Sequence, residues 1–191
     1  MPSIKVIIKR KNYGVEEKIA KAFEVMKDKF GYTNRLTVPR LLKISISVAT
    51  GRAMKQDKRR NELVMDRLSK ITGQKAVERQ AKKAIASFKT KIGDKIGVVV
   101  TLRGSRMYAF LEKLLNISLP RTKDFRGVDR KSVDTAGNLT LGIKEHVIFP
   151  EIKDEELKDI FGMAITLVST AKTRDEAMTF FEVLGIPFKK L

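Results

Sequence analysis

The sequence of 191 residues contains no cysteine and only one histidine, His146. The lack of cysteine excludes disulfide bonds, thiolate metal sites and cysteine nucleophiles. One histidine cannot form a histidine-rich metal cluster, so we expect no metal and no other cofactor. His146 lies in the alternating run of residues 139–149, and we interpret it as a polar residue of a strand rather than as a catalytic base.

Long hydrophobic runs are also missing. The N-terminal region has one apolar stretch, residues 4–8, which contains a lysine and is too short for the core of a signal peptide. No other run approaches the ~20 apolar residues that a membrane-spanning helix needs. We therefore expect a cytoplasmic protein that does not bind a membrane.

The sequence has none of the common catalytic motifs. It lacks the glycine-rich loops that bind nucleotides, the nucleophile elbow of hydrolases and the paired-histidine helix of zinc proteases. Glu155 and Glu156 lie at the predicted start of a short helical turn, where acidic residues favour the helix dipole. Asp124 and Asp134 lie in a basic loop, where neighbouring cations neutralise them. We therefore predict no catalytic residue.

The charge is strongly unbalanced. Forty Lys and Arg residues against 22 Asp and Glu give a net charge of +18 and a pI near 10.1. Residues 52–95 carry +9, whereas residues 151–191 carry −2. The positive field therefore belongs to the middle of the chain, and it attracts phosphate. A nucleic-acid partner explains this distribution better than a merely soluble surface does, because such surfaces tend to mix signs.

The hydrophobic periodicity alternates between that of helices and that of strands. Helical spacing predicts helices over residues 15–30 and 57–71, a third capped by Ser105, and a last one after the capping-box pair Thr173 and Glu176. A period of two predicts strands over residues 41–49, 97–103, 139–145 and 164–171, with a short extended piece at residues 75–79. The sequence thus predicts one α+β domain over residues 1–191, with a mainly antiparallel sheet and helices on one face.

Alternation also assigns faces to the strand residues. In the first strand Leu42, Ile44, Ile46 and Val48 are predicted to point inward and Ser47 outward. In the strand over residues 97–103, Thr101 and Arg103 are predicted to point outward. Between the helical and extended segments, residues 120–137 form a long basic loop without clean periodicity, which is typical of a functional or a disordered segment.

The outer faces of the predicted strands carry almost no aromatic residues. A sheet that stacks single-stranded bases needs aromatic side chains there. Their absence favours a folded, largely double-helical RNA that is recognised by its shape and backbone. The lysines of the central segment supply phosphate affinity without base identity.

Five ordered segments resemble one known family. They are ITGQK (71–75), AKKAIASFK (81–89), VTLRGSRMYAFLEKLLNISLPRTKDFRG (100–127), GNLTLGIKEHVIFPEI (137–152) and GMAITLVSTAKTRDEA (162–177). Together they are similar to the bacterial-type large-subunit ribosomal protein numbered five, over about residues 15–188. The resemblance implies a curved antiparallel sheet flanked by helices, and a place in the central protuberance of the large ribosomal subunit. The ribosome could be cytoplasmic or organellar.

The resemblance also implies partners and contact residues. The family binds 5S rRNA and 23S rRNA, reaches P-site tRNA with a loop, contacts other proteins of the central protuberance, and forms an intersubunit bridge to the small-subunit head protein numbered thirteen. The expected 5S rRNA contacts are Ser47, Gln74, Lys75, Thr101 and Arg103. The expected tRNA-facing residues are Lys82, Lys83, Ser87, Lys89 and Lys91, and further rRNA contacts are expected at Arg106, Arg121 and Arg126.

Some positions depart from the family pattern. Ser47 replaces an RNA-contacting Asn, Ala49 stands where Gly is usual, and Ala76 replaces a Pro. Glu78 and Gln80 stand where neutral or hydroxyl residues are common, and residues 134–138 read DTAGN in place of D-G-R-G-N. Two other hypotheses are an RNA-modifying or RNA-cleaving enzyme, and an interaction module whose acidic C-terminal segment binds a basic partner.

Overall fold

The computed structural model describes residues 14–51, 59–123, 125–152 and 160–189. Within these ranges it contains helices and one antiparallel sheet. The helices are α1 (Gly14–Phe30), α2 (Arg60–Thr72), α3 (Gly104–Lys113) and α4 (Arg174–Leu184), and the strands are β1 (Leu41–Ala49), β2 (Val77–Gln80), β3 (Lys95–Leu102), β4 (Leu139–Ile143) and β5 (Met163–Ser169). Helix α3 continues as a π-helical turn over Leu114–Ser118.

The sheet has the strand order β2-β3-β1-β5-β4, and each neighbouring pair is antiparallel. The longest strand, β1, lies in the centre. Apolar residues alternate along the strands, so one face of the sheet is apolar. Ile44, Ile46, Val100, Ile165 and Leu167 of this inner face are almost completely buried.

The helices pack on the inner face. Helix α2 contacts β2 and β3, α3 contacts β1, and α1 packs against α3 and α4. Met26, Leu68, Leu111 and Phe180 from the four helices belong to the same buried cluster as the inner strand residues. This arrangement confirms the predicted α+β fold with an antiparallel sheet and helices on one face. The opposite face of the sheet is left open.

The ends of two helices follow their sequence signals. Thr173 and Glu176 form the predicted capping box at the start of α4, and Gly185 ends the helix with φ 90°. Gly73 ends α2 with φ 65° and donates to the Ser69 carbonyl. The predicted start of the third helix is wrong, because α3 begins at Gly104 and its N-cap is Arg103 rather than Ser105.

Two further predictions are wrong, namely the inward direction of Leu42 and the position of His146 in a strand. The pairing of β1 with β5 is irregular between Leu41 and Lys43, so Leu41 enters the core and Leu42 stays 46% exposed. His146 lies in a 3-10 turn after β4, where it is completely buried. Its ring stacks on Phe161 at a centroid distance of 4.0 Å, and its Nε2 lies 3.2 Å from Nη1 of Arg67.

Several predictions concern residues outside the described ranges. These are the helix start at Asp57, the carboxylates Asp124, Glu155 and Glu156, and the side chains of Val15 and Ile19. In the part of the chain that is described, none of the helices has both the length and the apolar composition for a membrane crossing. The same part holds no cluster of three or more His, Asp or Glu residues that could bind a metal ion.

Candidate nucleic-acid interface

The open face of the sheet is formed by the strand residues that alternate with the buried ones. All of them are exposed or half-buried, and most are small or carry a hydroxyl group. None of them is aromatic. The open face consists of Val77 and Arg79 (β2), Gly97, Val99 and Thr101 (β3), Lys43, Ser45, Ser47 and Ala49 (β1), Ala164, Thr166 and Val168 (β5), and Thr140 and Gly142 (β4).

Three of the predicted 5S rRNA residues meet on the β1–β3 half of this face. Ser47 lies opposite Val99, and Thr101 lies opposite Ser45. Arg103 follows the end of β3 and is exposed, with extended backbone at φ −140° and ψ 162°. The prediction that Arg103 is a strand residue is therefore wrong by one position, but extended geometry keeps it on the same side as Thr101.

Gln74 is tied to the same strand. Its side-chain amide Nε2 donates to the carbonyl oxygen of Thr101 at 3.0 Å. This bond joins the connection between α2 and β2 to β3, and the next residue, Lys75, is exposed. The structure thus brings Gln74 and Lys75 to the edge of the open face beside Thr101, although one amide hydrogen of Gln74 serves the fold.

Residues 81–94 form a hydrogen-bonded hairpin loop between β2 and β3, which we call the basic loop. The backbone N–H of Ala81 donates to Asp94 O at 2.8 Å, and Ile85 and Thr90 exchange two backbone hydrogen bonds. Lys89 makes the turn with φ 49°. All five predicted tRNA-facing residues, Lys82, Lys83, Ser87, Lys89 and Lys91, are exposed on this loop.

A groove of about 760 Å³ lies between the basic loop and the adjoining ends of β1 and β3. Lys82, Lys83 and Ser87 line it, together with an apolar group of Ala49, Gly51, Ala81, Ile85, Phe88 and Ile96. Phe88 is 68% exposed, whereas every other aromatic residue in the described ranges is buried or half-buried. Sequence reasoning missed Phe88, although an aromatic residue among loop lysines, away from any helical stripe, was the available signal.

The base of the basic loop is fixed by a polar chain that starts in the core. Buried Thr50 donates to Oδ1 of Asn61, Asn61 Nδ2 donates to Glu78 Oε1 at 3.0 Å, and Glu78 Oε2 pairs with Lys95 at 2.8 Å. Hydrogen bonds from Lys95, then from Asn61, hold the pKa of Glu78 below its usual range, against the opposing effect of burial. The family departure at Glu78 therefore has a structural role, because it joins β2 to α2 and β3.

The other predicted rRNA contacts lie outside the open face. Arg106 is exposed in the first turn of α3, and Arg121 and Arg126 are exposed in the long loop over residues 120–137. Arg106 lies three residues after Arg103 and lines a pocket together with Thr72 and Gly73, so it adjoins Gln74. Arg121 and Arg126 belong to the long loop.

The second half of that long loop is attached to the C-terminal segment. The N–H of Val128 donates to Pro187 O at 2.7 Å, and Arg130 pairs with Glu182 at 3.2 Å. Within the DTAGN sequence, Asp134 accepts from the backbone N–H of Asn138 at 2.7 Å. This bond is the main cause that lowers the pKa of Asp134. Asp134 is thus a turn residue whose carboxylate accepts hydrogen bonds from the backbone and side chain of Asn138.

Comparisons with known proteins give a consistent result. A family model described as "Ribosomal protein L5" matches residues 34–91, and a second model, described as the C-terminus of the same ribosomal family, matches residues 95–188. A protein of Heliobacterium modesticaldum called large ribosomal subunit protein uL5 is 49% identical over 164 residues, which cover 86% of this chain and 91% of the relative. The protein of the same name from Flavobacterium johnsoniae is 47% identical over 175 residues, covering 92% and 95%.

Proposed function

The chain belongs to the ribosomal protein L5 family, and on that premise we propose that its open sheet face binds 5S rRNA. Membership makes it a structural constituent of the large ribosomal subunit that takes part in translation. This confirms the predicted family, the predicted ribosomal location and the prediction that the chain is not an enzyme. The proposal adds which RNA it binds and with which surface.

The observation that carries the proposal is the composition of the open face. It combines exposed or half-buried hydroxyl groups with flanking cations, Lys43, Arg79 and Arg103, and it has no aromatic side chain. Hydroxyl and guanidinium groups suit phosphate and ribose contacts, whereas aromatic groups are needed to stack single-stranded bases. Ser47, Gln74, Lys75, Thr101 and Arg103 form the proposed 5S rRNA site, which would attach this RNA to the central protuberance.

The basic loop supports a second proposed contact, with P-site tRNA. The five loop residues predicted to face tRNA are exposed and sit on a hydrogen-bonded hairpin rather than on a structureless segment. A preorganised loop loses less conformational entropy when it binds. The loop is therefore suited to a transient RNA partner, and Lys82, Lys83, Ser87, Lys89 and Lys91 are the residues we assign to it.

Further proposed partners use other surfaces. Arg106, Arg121 and Arg126 are exposed outside the strands of the open face and would contact 23S rRNA. The mildly acidic segment over residues 151–191 would bind basic protein partners, namely the small-subunit head protein numbered thirteen and proteins of the central protuberance. On this proposal the whole chain works as one domain with separate surfaces for RNA and protein.

Filter binding tests the 5S rRNA proposal. We expect the protein to prefer 5S rRNA over an unrelated structured RNA of similar length, and the affinity to fall steeply with salt because phosphate contacts release counterions. Equal affinity for the two RNAs would remove the specific claim. Cofractionation with large subunits on a sucrose gradient would separately report whether the protein is incorporated into the large subunit.

The tRNA proposal is tested on large subunits that carry a Lys89→Ala and Lys91→Ala variant. We expect weaker retention of P-site tRNA with unchanged 5S rRNA content, because these lysines lie on the loop and not on the open face. Replacement of the exposed Lys21 and Lys27 on α1 removes the same charge and serves as the control. Unchanged tRNA retention in the loop variant would contradict the proposal.

A further inference from the structure

Four hydroxyl side chains form a continuous row across the open face. Thr101 of β3 lies opposite Ser45 of β1, Ser45 lies opposite Thr166 of β5, and Thr166 lies opposite Thr140 of β4. We call this set the hydroxyl row. It crosses four strands perpendicular to their direction. With neighbouring strands about 4.8 Å apart, it extends over roughly 14 Å.

The far end of the row is organised by a contact between its members. Oγ1 of Thr140 and Oγ1 of Thr166 lie 3.1 Å apart, at hydrogen-bonding distance. One hydroxyl donates to the other, and the accepting hydroxyl then keeps its own hydrogen for another acceptor. The pair therefore offers both a donor and lone pairs at a fixed position on an exposed surface.

The residues beside the row allow a ligand to approach it closely. On the same face, Ala164 lies two residues from Thr166 along β5, and Gly142 lies two residues from Thr140 along β4. Neither has a side chain longer than a methyl group. On the β1–β3 side, Lys43 and Arg103 are available to phosphates. A surface with hydroxyls in a row, small neighbours and cations at one end matches a ribose-phosphate backbone better than it matches base edges.

The ribose 2′-hydroxyl is both a donor and an acceptor, and in A-form RNA it is displayed in the wide, shallow minor groove. A row of Ser and Thr hydroxyls has the same dual character, so each member can bond a 2′-hydroxyl in either direction. We infer that the RNA site extends from the β1–β3 half of the open face across β5 to β4, and that Ser45, Thr166 and Thr140 bind 2′-hydroxyls of the RNA. This inference rests on the proposed 5S rRNA binding, and it adds residues and a chemical basis to it.

A double-mutant design tests the inference. Thr140→Val and Thr166→Val remove the two hydroxyls while keeping the branched side-chain shape and the strand propensity. The RNA is changed in parallel by transcription of 5S rRNA with 2′-fluoro pyrimidines, or with 2′-fluoro purines, which keep the A-form sugar pucker but remove the hydroxyl. Affinities are measured for wild type and variant with each RNA.

We expect the Thr140→Val, Thr166→Val variant to bind unmodified 5S rRNA on the order of tenfold more weakly, since two hydrogen bonds are lost. At least one fluorinated RNA should weaken wild-type binding, and the same RNA should weaken the variant less, because the two changes remove the same contacts. Thr135→Val, an exposed threonine in the turn outside the sheet, is the control and should behave like wild type.

The outcomes distinguish failure of the inferred contacts on β5 and β4 from failure of the 5S rRNA proposal on which they rest. If wild type shows no preference for 5S rRNA over an unrelated RNA, the 5S rRNA proposal fails. If wild type prefers 5S rRNA but the variant binds as tightly as wild type, the extension to β5 and β4 is overturned. If the variant and the fluorinated RNAs weaken binding additively, the threonines do not act on 2′-hydroxyls, and the chemical basis is overturned.

Discussion

At the scale of single residues, the open face owes its character to short side chains on the strands and to a cation just past the end of one of them. Arg103 is exposed, two positions beyond Thr101, on the extended backbone that leads into α3. Its guanidinium can bond a phosphate in a bidentate fashion, which an ammonium cannot do. Its position at the N-cap also means that its side chain is not needed to complete the sheet.

Arg103→Ala should therefore weaken 5S rRNA binding without unfolding the protein. We expect a loss of about 1–3 kcal/mol of binding free energy, measured by filter binding, with an unchanged circular dichroism spectrum. Arg35→Ala removes the same charge from an exposed turn between α1 and β1 and is the matched control. Unchanged affinity of a folded Arg103→Ala variant would count against this residue.

Glu78 gives a pH-dependent prediction. Because its pKa in the folded protein lies below the ordinary value of 4.5, its ionised form stabilises the fold. This contribution is fully present above pH 4.5 and is lost as the pH falls through the lowered folded pKa. Glu78→Gln can still accept from Asn61 but loses the pair with Lys95, so it should be less stable than wild type near neutral pH and equal to it in acid.

Urea unfolding between pH 3 and 7 measures this difference, which 1 M salt should reduce because the Lys95 side chain is half exposed. Glu24→Gln on α1 controls for the loss of one negative charge. A stability difference between wild type and Glu78→Gln that does not change with pH would contradict the role of the ion pair.

Side-chain direction was predictable from sequence wherever the strand pairing is regular. Alternation placed Ser47 and Thr101 outward correctly, because a period of two is fixed by the pleat. It failed at Leu42, where the pairing with β5 is irregular, and at His146, where the chain leaves the sheet in a 3-10 turn. The irregular pairing and the 3-10 turn both depend on contacts with neighbouring elements, and neither is indicated by the local sequence. The burial of His146 against Phe161 and Arg67 needs three distant segments of the chain.

At the scale of elements, the sheet and the helices form the core, and the basic loop projects from it. The sheet and helices share one core, whereas the basic loop is joined to it through the hydrogen bonds of its hairpin and through Glu78. Helix α4 is held by its capping box, and Tyr32 after α1 donates to Glu176 Oε1 at 2.7 Å. Burial, followed by this bond and the charge of Glu176, raises the pKa of Tyr32 to about 12.

The cap of α4 gives a stability prediction at this scale. Thr173→Ala removes the acceptor for the backbone N–H of Glu176 and should destabilise the protein by about 0.5–2 kcal/mol. The midpoint of urea unfolding reports the change, and RNA affinity should stay the same because α4 lies in the helical layer. Thr173→Ser keeps the cap and should stay close to wild type. Equal stability of Thr173→Ala and wild type would show that the cap contributes little.

Helix and strand identity followed from the periodicity, but several boundaries did not. The capping box predicted the start of α4 because Thr173 and Glu176 lie three residues apart, as the cap requires. Ser105 carried a similar signal and was wrong, because Arg103 occupies the N-cap without a side-chain bond. The groove beside the basic loop and the hydroxyl row could not be predicted from the sequence. They depend on strand order and register, which hydrophobic patterns do not specify.

At the scale of the whole molecule, charge and shape are arranged together. The segment over residues 52–95, which carries +9, includes β2 and the basic loop at one edge of the sheet, whereas the C-terminal segment with −2 supplies β5 and α4. The proposed RNA surfaces lie on the open face and on the basic loop at its β2–β3 edge, and the helical layer covers the core. Overall charge alone would attract RNA to any basic part of the surface. The central claim is that the open face is the surface that binds 5S rRNA.

The most direct measurement compares two charge-matched variants for binding to 5S rRNA at near-physiological salt. One removes Lys43 and Arg103 beside the hydroxyl row, and the other removes the exposed Lys21 and Lys27 of α1 in the helical layer. If the open face binds the RNA, the Lys43→Ala, Arg103→Ala variant should lose about tenfold or more in affinity while the α1 variant stays within roughly threefold of wild type. Equal losses in both folded variants would contradict the account, because they would mean that the RNA responds only to net charge.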